Sequence, residues 1–228
     1  FSYQDAFCIG GHAATDVCKA FRMSLRVTYT DGRQQRIVTS TSDGLWKATT
    51  EANPIRYSHL YHGEQYDGRV ATDDRSKWKS AVLAMFNTGS GSIPAERALG
   101  TPALLQMPPI TISKRYVPVA VQQPHPGHWV FDMGHNMAGY AELSLPRGAF
   151  VDGSPIVLKY GEVLKDDGTV DMAWCKTPCN CSSINCANQT DTYIPFLAQE
   201  GSERFKFIPS FTYHGYRYVQ VENLAASH

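Results

Sequence analysis

The sequence predicts an all-β chain of the sandwich class, and two observations carry that expectation. Most of its 228 residues fall into short runs rich in Val, Ile, Thr, Tyr and Phe, separated by Gly, Pro, Asn and Asp. That is the spacing of strands and turns. Helix signals are scarce, and the best candidate, Arg75 to Phe86 around Trp78, is short. The length accommodates one large β domain or two of about 100–120 residues, and a chain of this size buries roughly 70% of its unfolded surface. Basic and acidic residues balance at 21 each, leaving no basic stripe, so no nucleic-acid partner is expected. No apolar run approaches the roughly 20 residues that a membrane-crossing helix needs, so no membrane partner is expected either.

Taken in order, Arg22-Met-Ser-Leu-Arg-Val-Thr-Tyr-Thr30 alternates as a half-buried strand does and ends at Asp31-Gly32, a hairpin signal. Gln35 to Ser40 reads as its partner. Asp43-Gly44 reads as the next turn, and Trp46 as a core residue. Residues 53–69 are expected to close a first domain spanning 1–86. The Gly/Ser cluster after Asn87 marks a linker over 87–107. A second domain then covers 108–228. Within it, Val130 and Phe131 open a strand that Gly134, His135 and Asn136 interrupt, residue types suited to a bulge or a positive-φ turn. From Tyr140 to Leu145 the alternation resumes. Trp46, Trp78 and Trp129 are expected to anchor cores.

The six cysteines form two groups. Cys8 and Cys18 flank a loop containing His12, and Cys175, Cys179, Cys181 and Cys186 crowd into an insertion over 172–190. The spacing C-x3-C-x-C-x4-C does not match paired C-x2-C zinc clusters, and only His12 supplies a nearby imidazole, so no metal ligand set is assigned. Two N-glycosylation sequons, at Asn180 and Asn188, favour disulfides in an oxidising compartment. The expectation is therefore a secreted, eukaryotic, extracellular glycoprotein. The pairing of the cysteines stays open.

Candidate chemistry is thin. Hydrolysis by paired carboxyl groups needs two of them facing one substrate, and Glu64, Asp67, Asp132, Glu162, Asp166 and Asp167 are the acids to weigh. Asp166-Asp167-Gly168 reads as a hairpin turn. Asp132 is placed to accept backbone N–H bonds that hold Gly134 to Asn136 in shape. No catalytic residue is assigned. His135 and His214 read as structural imidazoles. Strand period puts Tyr216 and Tyr218 on one face with His214, and Tyr213, Gly215, Arg217 and Val219 on the other. Trp174, in the polar insertion, is a candidate sugar platform.

The stretch Trp129-Val-Phe-Asp-Met-Gly-His-Asn-Met-Ala-Gly-Tyr140, continuing to Leu145, resembles the signature beside the catalytic domain of bacterial-type α-L-rhamnosidases, glycoside hydrolase family 78. Further segments are similar in the same order: Asn53-Pro-Ile-Arg-Tyr-Ser58 with His62-Gly-Glu-Gln-Tyr-Asp-Gly-Arg69, Leu105-Gln-Met-Pro-Pro-Ile110, Tyr160 to Gly168, Asp191-Thr-Tyr-Ile194, and Phe211 to Val219. The resemblance implies jelly-roll or concanavalin-like sandwiches, the first incomplete at its N-terminus. Its missing strands would come from a longer chain or a partner chain, which allows self-assembly. It also implies an accessory, non-catalytic region, because the family's helical barrel would begin beyond His228. Phe1, which is not an initiator Met, fits a processed or incomplete chain.

Some sandwiches that precede the barrel in this family bind L-rhamnose with calcium. The resemblance thus offers carbohydrate as partner and calcium as a possible cofactor, but it places the characteristic ligand positions upstream of Phe1. Glu64, Tyr66, Asp67 and Arg69 match a family motif and are surface candidates for sugar contact. An Asp67–Arg69 ion pair explains them equally well. The rival expectation is a free-standing extracellular lectin, or a structural or cell-surface subunit, built from the same sandwiches.

Overall fold

The computed structural model of the chain describes residues 23–39, 44–83, 85–87, 92–94, 108, 110–146, 149–150, 154–173, 188–196 and 204–224. Apart from one 3-10 turn, every regular element among these residues is a strand, as the sequence predicts. The chain divides into two compact units, residues 1–51 with 75–112, and residues 52–74 with 113–228.

In the first unit, β1 (Ser24–Thr28) pairs antiparallel with β2 (Gln34–Val38). The predicted Asp31-Gly32 turn closes this hairpin. Gly32 N donates to Tyr29 O at 3.0 Å, and the Asp31 carboxylate accepts from Arg33 N at 3.0 Å. β3 (Lys47–Ala48) pairs with β6 (Lys79–Ser80), and Trp46 is tied in by its indole N–H, which donates to Val38 O at 2.9 Å.

The short helix candidate over 75–86 is not seen among the described residues. One 3-10 turn, Arg75–Lys77, leads into β6, and Met85–Asn87 (β7) pairs with Ser92–Pro94 (β8), which lies in the stretch expected to be linker. A short helix has few bonds to offset its nucleation cost, and strand pairing satisfies the same backbone groups here.

The second unit is organised on a seven-stranded sheet in the order β4-β5-β13-β12-β15-β10-β9. Its strands are β4 (Ile55–His59), β5 (Gly63–Asp67), β9 (Ala120–His125), β10 (His128–Gly139), β12 (Ile156–Gly161), β13 (Thr190–Ile194) and β15 (His214–Glu222). The remaining pair, β11 (Leu143–Pro146) with β14 (Arg204–Phe207), lays Leu143, Leu145, Phe205 and Phe207 on one face of that sheet. The core is aromatic: Phe150, Tyr160, Tyr193, Phe205, Phe207 and Tyr216 pack with Ile156, Leu158, Val219 and Val221. Alternation on β12 explains its part, since Ile156, Leu158 and Tyr160 all face inward.

The β4–β5 hairpin departs from the sequence expectation. Residues 53–69 were expected to close the first domain, yet β5 pairs in parallel with β13, Gln65 opposite Thr192 and Asp67 opposite Ile194. All other strand pairs in the sheet are antiparallel. The tryptophans also differ from expectation. Trp78 is exposed, and Trp46 and Trp129 are only half-buried.

β10 carries the predicted bulge. Its register with β15 moves from Asp132 opposite Tyr218 to Met137 opposite Tyr216, so residues 133–136 stand across from Arg217. Asp132 accepts from Gly134 N at 2.7 Å, and from Arg217 Nε at 2.9 Å and Nη2 at 2.8 Å. The bulge also shifts the parity of β15. His214 and Tyr216 face the core as expected, but Val219 and Val221, not Tyr218, continue that face.

Candidate functional site

Three elements bring a polar cluster into the interior of the second unit. β12 ends its inward run with Tyr160, β13 contributes Asp191, and β15 begins with His214. The Tyr160 hydroxyl donates to Asp191 Oδ2 at 2.7 Å, and its ring stacks on His214 with centroids 4.0 Å apart. His214 Nε2 lies 3.2 Å from both Asp191 oxygens. A carboxylate only accepts, so this contact is a hydrogen bond in the Nε2–H tautomer of His214. Glu64 joins from β5: its backbone N–H donates to Asp191 Oδ1 at 2.8 Å. The Glu64 Oε2 atom accepts from Ser210 N at 3.0 Å and Phe211 N at 3.2 Å.

The electrostatics follow from burial. Glu64 and Asp191 are both 0% exposed. Burial pushes the Glu64 carboxyl above its usual range against the two amide bonds, and the Asp191 charge adds to the push. Burial, then Asp191, raises the Tyr160 hydroxyl far above its ordinary value and Tyr216 to about 12. Glu64 Oε1 and His214 Nδ1 are buried without a hydrogen-bond partner. The cluster ties β5, β12, β13, β15 and the 210–211 turn to one carboxylate pair, and it offers no surface to a substrate.

The surface candidates have separate fates. Glu64, expected as a surface contact, is wholly interior, because its carboxylate caps the 210–211 amides. Tyr66 lies half-buried against Tyr193 and Phe207, each with ring centroids 5.9 Å away, so its ring packs the core. Asp67 and Arg69 form a two-pronged ion pair at 2.8 and 2.9 Å. The Arg69 guanidinium holds the Asp67 carboxyl below its usual range. Asp166-Asp167-Gly168 is a turn, as predicted, with Asp167 accepting from Thr169 N at 2.9 Å. Glu162 is exposed, and exposed His135 meets the Tyr116 ring edge-on at 4.6 Å. Asn188 is exposed. Trp174, Asn180, Cys8, Cys18, Cys175, Cys179, Cys181 and Cys186 lie outside the described residues. Among the described residues, no group of three or more His, Cys, Asp or Glu side chains could hold a metal ion, and no helix is long and apolar enough to cross a membrane.

Reasoning from sequence alone names Tyr160, Asp191 and His214 only as members of separate motifs. The signal for their meeting is the phase of β13: Asp191 shares its face with Tyr193, an inward position where a lone carboxylate needs internal donors. The exposed rings Tyr57, Tyr61 and Phe211 are not singled out from the sequence either.

Two family models match the chain. The bacterial alpha-L-rhamnosidase concanavalin-like domain covers residues 122–228, and the alpha-L-rhamnosidase N-terminal domain covers residues 10–101. An alpha-L-rhamnosidase of Streptomyces avermitilis is 34% identical over 210 residues, which is 89% of this chain and 17% of that protein. One from Formosa agariphila is 31% identical over 211 residues, 89% of this chain and 19% of that protein. Among solved structures, the alpha-L-rhamnosidase from Dictyoglumus thermophilum superposes with a TM-score of 0.66 at 29% identity, covering 91% of this chain and 21% of its own. The Streptomyces avermitilis enzyme complexed with L-rhamnose gives 0.62 at 28% identity, covering 90% and 18%. This chain therefore spans about a fifth of the length of the relatives it matches.

Proposed function

Because this chain belongs to the bacterial-type α-L-rhamnosidase family through both of its β domains, we propose that it is the accessory β-sandwich region of a secreted α-L-rhamnosidase-like glycoside hydrolase. It is non-catalytic by itself and supports or binds carbohydrate, with a rhamnose-containing glycan as the fitting ligand class. Coverage carries the reading: the curated relatives match 88–90% of this chain but only 17–19% of their own length. Most of a hydrolase of this kind thus lies in sequence with no counterpart here. The carboxylates point the same way. Glu64 and Asp191 are enclosed, and Asp67 and Asp132 are each held by an arginine. Glycoside hydrolysis instead needs two carboxyl groups open to one substrate, about 5–10 Å apart. The reading extends to disulfides among the six cysteines and N-glycans at Asn180 and Asn188.

Calorimetric titration with L-rhamnose and rhamnose-bearing oligosaccharides tests the binding half, with Arg69→Ala as the variant at the surface pair. Saturable heat with rhamnosyl ligands and none with glucose supports binding. Absence of heat across the series overturns it and leaves support of a neighbouring catalytic domain.

The exposed rings of Tyr57, Tyr61, Phe211 and Tyr213 favour a second reading, a free-standing extracellular binding or assembly protein built from the same sandwiches. Intact mass and peptide mapping of the native protein separate the two: peptides from a helical barrel belong to the hydrolase, and a mass near 25.3 kDa after glycan removal to the binding protein.

A further inference from the structure

The turn between β4 and β5 carries an aromatic surface beside a glycosylation sequon. Tyr61 is 52% exposed, Phe211 62% and Tyr213 42%. The Tyr61 and Tyr213 rings meet edge to face with centroids 6.1 Å apart, and Tyr213 N donates to Leu60 O at 3.4 Å. The strand that flanks this turn begins at the sequon Asn188-Gln-Thr190. Gln189 N donates to Tyr61 O at 3.4 Å, and Thr190 N to His62 O at 2.9 Å. Asn188 itself is exposed. The sequon asparagine is thus one residue from the backbone bonded to Tyr61.

Aromatic faces carry negative charge density, and the axial C–H groups of a pyranose ring carry the complementary partial positive charge, so a sugar ring stacks where a benzene-like face stands open. Large apolar side chains clustered in water mark surfaces that something covers. A glycan linked to Asn188 would be the occupant with the shortest reach. We infer that an N-linked glycan on Asn188 folds back onto Tyr61 and Tyr213, shielding that aromatic surface with its first N-acetylglucosamine residues. The attachment forms an N-glycosidic bond between Asn188 Nδ2 and the sugar anomeric carbon. The bond from that carbon to a lipid-diphosphate donor breaks, the diphosphate leaves as the anion, and Nδ2 gives up one proton. The inference rests on the secreted-glycoprotein part of the proposed function.

The test uses the full chain made in a eukaryotic secretory host, as wild type, Tyr61→Ser and Tyr61→Phe. Tyr61 holds Gln189 through its backbone carbonyl, so both variants keep that bond. Peptide mass spectrometry reads occupancy of Asn188, proton NMR reads the core N-acetylglucosamine signals, and glycosidase release under native conditions reads shielding. The inference expects an occupied Asn188 with upfield-shifted core-sugar signals in wild type and Tyr61→Phe. In Tyr61→Ser those signals return to free-glycan positions and release becomes several-fold faster. An occupied Asn188 whose signals and release ignore residue 61 overturns the packing alone. So does a Tyr61→Ser protein altered only in oligomeric state, which assigns the surface to a second copy. An unoccupied Asn188 overturns both the packing and the glycoprotein reading of that residue.

Discussion

The Tyr160 hydroxyl donates to Asp191 at 2.7 Å with neither side chain exposed, and this bond joins β12 to β13 at the centre of the second unit. A hydrogen bond to a charged partner contributes about 1.5–3 kcal/mol, and a buried acceptor that loses its donor keeps the desolvation penalty. We expect Tyr160→Phe to lower stability by about that amount. Urea unfolding followed by tryptophan fluorescence checks it; an unchanged midpoint would show that Glu64 N and His214 satisfy Asp191 without the tyrosine.

Burial raises the Glu64 carboxyl, which gives stability a pH dependence of defined sign. A carboxyl with a raised folded-state pKa favours folding when protonated. Its contribution is fully present below the unfolded value of about 4.3 and is lost as pH rises through the folded value. Glu64→Gln, which cannot ionise, is expected to gain on wild type as pH rises through that window. Melting temperatures of both proteins measured from about pH 4 to 7 should diverge, and parallel curves would contradict an interior, raised carboxyl. Asp167 acts in the opposite sense. Thr169, then His125, holds its carboxyl at about 2, so its contribution is present above the unfolded value and lost as pH falls toward 2.

The parallel pairing of β5 with β13 depends on close backbone approach at Gly63. Its φ is +117°, and a Cβ there would run into the Thr190 carbonyl. Backbone cannot swing aside as a side chain can, so Gly63→Ala is expected to cost about 4 kcal/mol or more. Amide exchange in β5 and β13 should accelerate together. Gly134→Ala is the milder comparison. Its φ of +83° is strained for an L side chain, and the added carbon would meet the Val119 methyls at 3.2 and 3.3 Å, for a cost of about 1–2 kcal/mol. A larger loss at Gly134 than at Gly63 would reverse this ranking.

The features legible in the sequence are those made by neighbouring residues. Asp31-Gly32 closes a hairpin, Asp132 caps Gly134 in the bulge, and Asp167 caps Thr169, because each carboxylate reaches an amide two residues away. What was not legible depends on distant chain. Nothing local in Gly63–Asp67 announces that its partner is Thr190–Ile194, and so nothing announces that Glu64 is interior. Arg75 to Phe86 reads as a helix locally, and strand pairing with Lys47–Ala48 overrides that preference. On β15 the two-residue period fails at Arg217 and Tyr218, because the bulge that resets it sits on another strand.

We propose that this chain is an accessory region and not itself the hydrolase. Incubation of the purified 228-residue chain with an aryl α-L-rhamnoside, with aryl release followed over hours, tests it directly. Release no faster than the buffer blank is expected. Sustained release that scales with protein concentration, and that disappears in Asp132→Ala or Glu162→Gln, would contradict it and place an active site within these sandwiches.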